Sequence, residues 1–247
     1  MTKRDVRQRI WNLLNDSHAL RFPGPLHGIP NFEHADRAAR RLRDLAVWRR
    51  AAVVKVCADV PQLFVRRLCI EDGKLLYIAV PTLRSERCFI EVDPERLGSR
   101  ALIAASLPGA CKYGRPVPPR EMRPIDLFVC GSLAVSRDGT RVGKGGGYAD
   151  LEYALLREEG KVRDTTPIAT TVHPLQILSY RIAMQPHDVP VDFVVTPTEV
   201  IATRCGHTRP RGIYWDLLSS TRINTIPLLR KRFGQSDGAG RPSPRRV

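Results

Sequence analysis

Apolar and polar residues follow two different periods along this chain. Over residues 4–15 and again over 33–50, apolar positions recur at helical spacing, and the intervening residues 21–32 are rich in proline and glycine, which predicts a loop. "AAVVKV" (51–56) and "KLLYIAVP" (74–81) are short apolar runs of the kind that form buried strands. Helices that alternate with buried strands are typical of an α/β domain with a mostly parallel sheet.

The second half of the chain continues this alternation. "IDLFVCGSLAVS" (125–136) is a nearly continuous apolar run, which predicts one central strand buried on both faces. "DLEYALLREEG" (150–160) predicts an amphipathic helix that ends at a glycine. A strand is predicted in "TPIATTVHP" (166–174), and two further strands are predicted on either side of Pro197.

The domain organisation follows from where this pattern weakens. Leu63–Ile70 fits either a helix or a strand, and residues 94–121 are irregular and rich in proline and glycine. We expect one α/β domain over residues 1–205, followed by a C-terminal extension at 206–233. Residues 234–247, "GQSDGAGRPSPRRV", have almost no apolar content, which predicts a disordered basic tail.

Charge and cysteine usage narrow the class of protein. The 247 residues include 40 Lys plus Arg against 25 Asp plus Glu, a net charge of +15. This favours an anionic partner such as a nucleotide or RNA, although a solvated surface in a basic proteome explains it equally well. None of the six cysteines forms a C-x-x-C pair or has zinc-site spacing, which predicts free buried thiols in a reducing cytosol. Without a signal core or an apolar run near the ~18 residues of a membrane span, we expect a cytoplasmic protein with no membrane partner.

Candidate chemistry concentrates in "RVGKGGGYAD", residues 141–150. A Walker P-loop is excluded, because its spacing before Gly143–Lys144 is one residue short and no Ser or Thr follows the lysine. A dinucleotide fingerprint is excluded because Tyr148 occupies a position that requires a small residue. A turn that leads through glycines into a helix still suits an anion, since backbone N–H groups, Arg141 and the lysine can converge on it. A purely structural turn is the alternative.

Two blocks of the chain resemble the 5-formyltetrahydrofolate cyclo-ligase family, also called methenyltetrahydrofolate synthetases. The first block matches in register at Pro124, Asp126, Leu127, Ala134, Gly139, Arg141, Gly143, Gly145, Gly147, Tyr148 and Asp150. The second block, "MQPHDVPVDFVVTPTEVI", matches at His187, Asp188, Asp192 and Thr196. The resemblance covers about residues 3–203 and implies a three-layer αβα fold like that of sugar-phosphate isomerases and CoA transferases. The N-terminal half is similar to a divergent branch, in some members of which an RNA-binding module follows; we expect no such module here.

The resemblance implies a reaction and its residues. ATP, with Mg²⁺, drives closure of 5-formyltetrahydrofolate to 5,10-methenyltetrahydrofolate, so the substrate is a reduced folate or a related small molecule, and we expect a monomer. The implied catalytic residues are Arg141, Lys144 and Asp150, with Asp150 as the magnesium ligand. The implied ATP-binding residues are Lys3, Arg7, Arg141, Gly143, Lys144, Gly145, Gly146, Gly147 and Tyr148. Tyr148 and His187 are expected to contact the substrate.

Several of these residues also fit a structural role. Lys3 and Arg7, one turn apart on the first helix, fit a solvated basic face equally well. Asp150 fits a helix cap, Tyr148 fits packing beneath the loop, and a histidine beside a proline, such as His187, is more often structural.

The sequence also departs from the family pattern. Ala149 and Leu151 replace a tyrosine and an arginine, Gly131 replaces a proline, and Lys144 replaces a residue that is usually not basic. A folate-contacting glutamate of the family has no counterpart near residues 64–65. We therefore expect a site whose phosphate-binding part is retained and whose pteridine-binding part is altered. Three functions remain open: a folate cyclo-ligase, an enzyme of the same fold acting on another formylated or carboxylated substrate, and a non-catalytic nucleotide- or RNA-binding protein.

Overall fold

The computed structural model describes residues 1–22, 28–203 and 206–236. Its helices are α1 (Lys3–Asp16), α2 (Ala35–Arg43), α3 (Ala46–Arg50), α4 (Leu63–Glu71), α5 (Pro94–Leu97), α6 (Leu107–Tyr113), α7 (Tyr148–Glu158), α8 (Ser220–Thr225) and α9 (Pro227–Ser236). Its strands are β1 (Val53–Val56), β2 (Leu75–Ala79), β3 (Phe89–Val92), β4 (Arg115–Val117), β5 (Leu127–Cys130), β6 (Ala134–Ser136), β7 (Arg141–Val142), β8 (Ile168–Thr171), β9 (Ile177–Leu178), β10 (Phe193–Val195) and β11 (Val200–Ala202).

A mostly parallel sheet forms the centre of the molecule, as the alternation of helices and strands predicts. Its eight strands lie in the order β11–β10–β8–β5–β1–β2–β3–β4. The strands from β10 to β2 are parallel, and β11, β3 and β4 pair antiparallel at the two sides. A small separate sheet contains β7, β6 and β9.

Helices cover both faces of the central sheet, which gives the three-layer arrangement. Successive residues of a strand point to opposite faces, so each buried strand contributes to two cores. Val54 and Val56 join a core with α2, α3 and α4, whereas Val53 and Cys57 join a core with α7. The C-terminal extension adds buried side chains to the second core: Trp215, Ile223, Ile226, Leu228 and Leu229. The extension therefore packs as part of the same hydrophobic core.

The apolar run at 125–136 differs from its prediction as one strand. It divides into β5 and β6, which belong to different sheets. The Gln176 side chain donates to the carbonyl oxygens of Ser132 and Leu133, at 2.9 and 3.0 Å, between these strands. Backbone groups thus stay hydrogen-bonded where the chain leaves the central sheet, so an apolar run can continue through the change of sheet.

The remaining elements confirm some of the sequence predictions and contradict others. The segment left open between helix and strand is α4, and the two strands around Pro197 are confirmed as β10 and β11. The prediction of irregular structure over 94–121 was wrong, since this segment contains α5, α6 and β4. Helix α9 runs to Ser236, into the segment predicted to be a disordered tail, and residues 237–247 lie outside the described residues.

The cysteines within the described residues are free thiols, as expected. The buried ones are Cys57, Cys69, Cys88 and Cys130. Cys111 is exposed, and Cys205 lies outside the described residues. In the part of the chain that the structure describes, no helix is both long enough and apolar enough to cross a membrane.

Two aspartates of the family signature organise the central sheet. Asp126 accepts hydrogen bonds from the backbone N–H groups of Ala52 and Val53, both at 2.9 Å, where β1 begins. Asp192 accepts one from the N–H of Ile168 at 2.8 Å, where β8 begins. Each carboxylate therefore satisfies the first donors of a neighbouring parallel strand, which accounts for an acid just before β5 and β10.

Gly139 closes the turn between β6 and β7 in a conformation that favours glycine, with a φ of 93°. A Cβ atom there would lie 2.3 Å from the carbonyl oxygen of Val191. We expect Gly139→Ala to lower the free energy of unfolding by about 2–3 kcal/mol, measured by urea denaturation. Gly73→Ala is the control, because its φ is 67° but no described atom lies within 4 Å of its Cβ position. Equal stability of the two variants would contradict the steric argument.

Candidate functional site

The glycine loop, Gly143–Gly147, joins β7 to α7 beside the carboxyl ends of the central strands. A cavity of about 340 Å³, the first cavity, opens there. Cys57 and Asp59 line it from the end of β1, Val80 from the end of β2 and Gly131 from the end of β5. Open α/β sheets bind their ligands at this end, so the loop lies where the architecture favours a site.

Arg141 lies buried beneath the glycine loop. Its Nε donates to the carbonyl oxygen of Val189 at 2.9 Å, and a terminal nitrogen donates to Asp150 Oδ1 at 2.5 Å. The N–H of Val189 donates to the same carboxylate oxygen at 3.0 Å. Burial alone would lower the pKa of Arg141, but the Asp150 carboxylate outweighs it and the pKa lies above its ordinary value. Arg141 and Asp150 thus fasten the first turn of α7 to Val189.

Lys144 connects the glycine loop to the end of β1. Its Nζ lies 2.9 Å from Asp59 Oδ1. Burial lowers the pKa of Lys144, and the Asp59 carboxylate more than offsets this, so the pKa is raised. A Cβ atom on Gly131 would lie 2.6 Å from Asp59 Oδ2, so glycine leaves room for the carboxylate. Two departures from the family pattern, Gly131 and Lys144, are therefore linked through Asp59.

Helix α1 places two basic side chains at the site. The Nε of Arg7 donates to the carbonyl oxygen of Gly143 at 2.8 Å. The guanidinium carbon of Arg7 also lies 3.5 Å from the Cβ position of Gly145. Lys3 forms an ion pair with Asp188. Both residues therefore contact the segments that carry the two family blocks, whereas a solvated basic face would leave them free.

The amino end of α7 is open to a ligand. Gly147 is its N-cap residue, with a φ of 61°, and no side chain of the described residues caps the helix there. No described atom lies within 4 Å of a Cβ position on Gly147. Backbone N–H groups at a helix amino end lack partners within the helix and attract anions. The geometry fits a phosphate group.

A second cavity, of about 290 Å³, shares Gly147 and Asp150 with the first. His187 lines it together with the C-terminal extension. From the extension, the guanidinium of Arg222 stacks 3.9 Å from the ring centroid of Tyr148 and donates to the carbonyl oxygen of Gly146. The extension therefore reaches the glycine loop directly, which the sequence pattern did not predict.

A buried ion pair beside the first cavity also escaped the sequence analysis. Lys55 of β1 is fully buried and pairs with Glu152 of α7. Its Nζ lies 3.2 Å from Cys57 Sγ and 4.1 Å from the ring centroid of Phe128. Burial lowers the pKa of Lys55, but the Glu152 carboxylate outweighs burial and keeps the amine charged. The available signal was a lysine inside the apolar run "AAVVKV".

The acidic side chains of the first cavity do not come from residues 64–65, the positions that correspond to the family glutamate. Residues 64–65 lie on α4, with Val65 in the opposite core, and neither is among the described residues that line the cavity. Asp59, Asp150 and Glu152 line it instead. Burial raises the pKa of Cys57, which also lines the cavity, to about 12, so this thiol is neutral and not an active nucleophile.

Comparison with known proteins establishes the family. Residues 1–197 match the model of the 5-formyltetrahydrofolate cyclo-ligase family. The chain belongs to this family. Methenyltetrahydrofolate synthase domain-containing proteins of Bos taurus and Homo sapiens are 37% and 36% identical to it over 245 residues. These matches cover 98% of the chain, which spans 64% of the length of either relative.

A solved structure supports the cyclo-ligase fold. The 5,10-methenyltetrahydrofolate synthetase of Aquifex aeolicus superposes with a TM-score of 0.51 at 17% identity. The match covers 84% of this chain and 96% of the Aquifex chain. The family match ends at residue 197, so the extension that carries Arg222 lies beyond the cyclo-ligase region.

Proposed function

We propose that this protein is an ATP- and magnesium-dependent cyclo-ligase that converts 5-formyltetrahydrofolate to 5,10-methenyltetrahydrofolate. The observation that carries the proposal is the open, glycine-rich amino end of α7 beside a cavity, in a member of this family. ATP phosphorylates the formyl oxygen, the neighbouring amine attacks the activated carbon, and phosphate leaves. Such chemistry needs positioning and charge neutralisation more than a nucleophilic side chain.

The phosphate groups of ATP are assigned to the glycine loop. The N–H groups at the start of α7 face them, and the terminal nitrogens of Arg7 neutralise their charge from α1. Lys3 joins them when it leaves its ion pair with Asp188. Arg141 acts from beneath, because its guanidinium is already committed to Asp150 and Val189. Arg141 thus holds the glycine loop in the conformation that binds the phosphates.

Magnesium would arrive with the nucleotide. Asp150 Oδ1 is occupied by Arg141 and Val189, which leaves Oδ2 for the ion. The described residues contain no group of three or more His, Cys, Asp or Glu side chains that could hold a metal. This agrees with Mg²⁺ chemistry, in which one or two carboxylates act together with substrate phosphates and water.

The substrate is assigned to the first cavity. A reduced pteridine presents N–H donors, and Asp59 supplies a carboxylate acceptor on the cavity wall. Asp59 would then replace the family glutamate that is missing near residues 64–65. Because Lys144 holds Asp59 at 2.9 Å, binding of the substrate competes with this ion pair. Tyr148 lines the same cavity and provides an aromatic face for the ring.

Direct assay of the methenyl product tests this function. We expect product from 5-formyltetrahydrofolate, ATP and magnesium, with a higher Michaelis constant for the folate than that of the Aquifex aeolicus synthetase, because Asp59 must first leave Lys144. Absorbance of the methenyl product is followed while the folate concentration varies, and omission of ATP is the control. Saturation at low folate concentration would contradict the prediction that the pteridine-binding part of the site is altered. Bound ATP without product at any folate concentration would favour another formylated or carboxylated substrate.

Removal of Lys144 tests the phosphate-binding part of the site. We expect Lys144→Ala to weaken ATP binding about 10-fold, because a charge-assisted phosphate contact contributes roughly 1.5–3 kcal/mol and Lys144 is 47% exposed, which screens it. Isothermal titration calorimetry with MgATP measures the change. Lys112→Ala, at an exposed lysine of α6, is the control. Equal ATP affinity in both variants would remove Lys144 from the nucleotide site.

A further inference from the structure

We infer that the C-terminal extension forms a pocket for the purine base of the nucleotide whose phosphates bind to the glycine loop. This inference rests on the function proposed above and assigns the second cavity to a specific part of the ligand. About half of the cavity wall, residues 212–222, lies beyond the family match, and the other half comes from the glycine loop, α7 and His187.

The wall of the second cavity suits a flat heterocycle. Its apolar lining consists of Leu151, Ala154, Ile213, Leu217 and Leu218. Its volume of about 290 Å³ lies at the small end of ligand pockets, roughly 300–1,000 Å³, which fits a base better than a whole nucleotide. Leu151 stands where the family has an arginine, so this departure supplies apolar surface where the extension packs.

The second cavity is continuous with the proposed phosphate site. Gly146 and Gly147 of the loop belong to its wall. Arg222 stands at this junction, since it stacks on Tyr148 and donates to the carbonyl oxygen of Gly146. A nucleotide can therefore place its phosphates on the loop and its base among the apolar residues, with a positive charge between the two parts.

The first cavity is already assigned to the substrate. Asp59 and Glu152 line it in addition to Asp150, which both cavities share, and their partners are Lys144 and Lys55. In the second cavity the only carboxylate among the described lining residues is Asp150, which Arg141 neutralises. The glycine loop thus lies between a cavity lined by ion pairs and a cavity lined mainly by apolar side chains. A nucleotide in the second cavity and a phosphoryl acceptor in the first would meet at this loop, as transfer requires.

The pocket also offers a hydrogen-bonding atom. His187 lines it, and its Nδ1 is buried with no hydrogen-bond partner among the described residues. A buried polar atom without a partner costs free energy, which a ring nitrogen or amino group of a base would recover once the imidazole turns this nitrogen toward the cavity. Contacts with the end of α7 hold the extension in place. The N–H of Ile213 donates to Glu158 Oε1 at 3.0 Å, and Arg232 pairs with Glu158 and Glu159.

Comparison of ATP with tripolyphosphate tests the inference, since tripolyphosphate has the phosphates and no base. Each is titrated with magnesium into the full chain by calorimetry, for the wild type, Leu217→Asp and the control Leu102→Asp. Leu102 is 50% exposed and lies outside both cavities. We expect Leu217→Asp to weaken ATP binding at least about 10-fold, because a carboxylate replaces apolar contact with the base, and to leave tripolyphosphate binding within about 2-fold. Leu102→Asp should change neither.

The possible outcomes separate this inference from the proposed function. If the wild type binds ATP and tripolyphosphate with equal affinity, or if Leu217→Asp binds ATP as the wild type does, the base pocket is wrong and the phosphate site stands. If the wild type binds neither ligand, the proposed function fails and the inference fails with it. Thermal unfolding of each variant checks folding, and Leu217→Ser replaces Leu217→Asp in the same comparison if the latter does not unfold cooperatively.

Discussion

Glu152→Leu is expected to lower the free energy of unfolding by about 3–5 kcal/mol, because it leaves the buried ammonium group of Lys55 without its partner. Lys55 is fully buried in β1, and its remaining neighbours are the neutral Cys57 thiol and the Phe128 ring. Neither compensates the loss of a carboxylate. Urea denaturation followed by circular dichroism measures the change.

The double variant Lys55→Met/Glu152→Leu is the matched control. Apolar residues of similar volume can replace a buried ion pair at little cost, so we expect it to recover most of the lost stability. A double variant no more stable than Glu152→Leu would show that packing, and not the unpaired charge, causes the loss.

The pH dependence of Glu152→Leu gives an independent check. Without Glu152, burial lowers the pKa of Lys55 in the folded protein below its value in the unfolded chain. The unfolded chain then binds more protons, so the stability of the variant rises with pH from about pH 7 to 10. In the wild type the pKa of Lys55 is raised, so this residue adds no such rise, and parallel pH profiles would contradict the assignment.

Arg141→Met is expected to affect both stability and nucleotide binding. The variant leaves the Asp150 carboxylate without its cation and the Val189 carbonyl without a donor, which costs about 3–5 kcal/mol for a buried pair. We also expect ATP affinity to fall about 10- to 100-fold, because the loop loses the support that shapes it. Urea denaturation and calorimetry with MgATP measure the two effects.

Arg157→Met is the control for Arg141→Met. Arg157 lies on α7 and donates to the carbonyl oxygen of Val162 at 3.2 Å, but its acidic partner Asp164 is 68% exposed, so the variant should lose about 1 kcal/mol and keep ATP binding. Arg141→Lys retains a positive charge for Asp150, but an ammonium group lacks the planar guanidinium that donates to Asp150 and Val189 together. We therefore expect its stability and its ATP affinity to lie between those of the wild type and Arg141→Met. Wild-type ATP affinity in folded Arg141→Met would show that the loop does not depend on this clamp.

The departures from the family pattern form two groups. Gly131 and Lys144 meet at Asp59, where a glycine makes room for the carboxylate that the lysine holds. Leu151 lines the second cavity with residues of the extension. These three departures therefore lie at the walls of the two cavities, on either side of a loop that keeps its glycines.

The order of helices and buried strands, the mostly parallel sheet and the family can be predicted from the sequence, because periodicity and glycine spacing are local properties of the chain. It also indicated the segment, residues 141–150, for which we propose that backbone N–H groups bind an anion. Tertiary structure alone decided that the run at 125–136 divides between two sheets, that Lys55 meets Glu152, that Arg141 lies beneath the loop, and that Arg222 reaches it. Each of these depends on which faces of distant elements pack together, and burial then determines whether a charged side chain is a ligand contact or a structural partner.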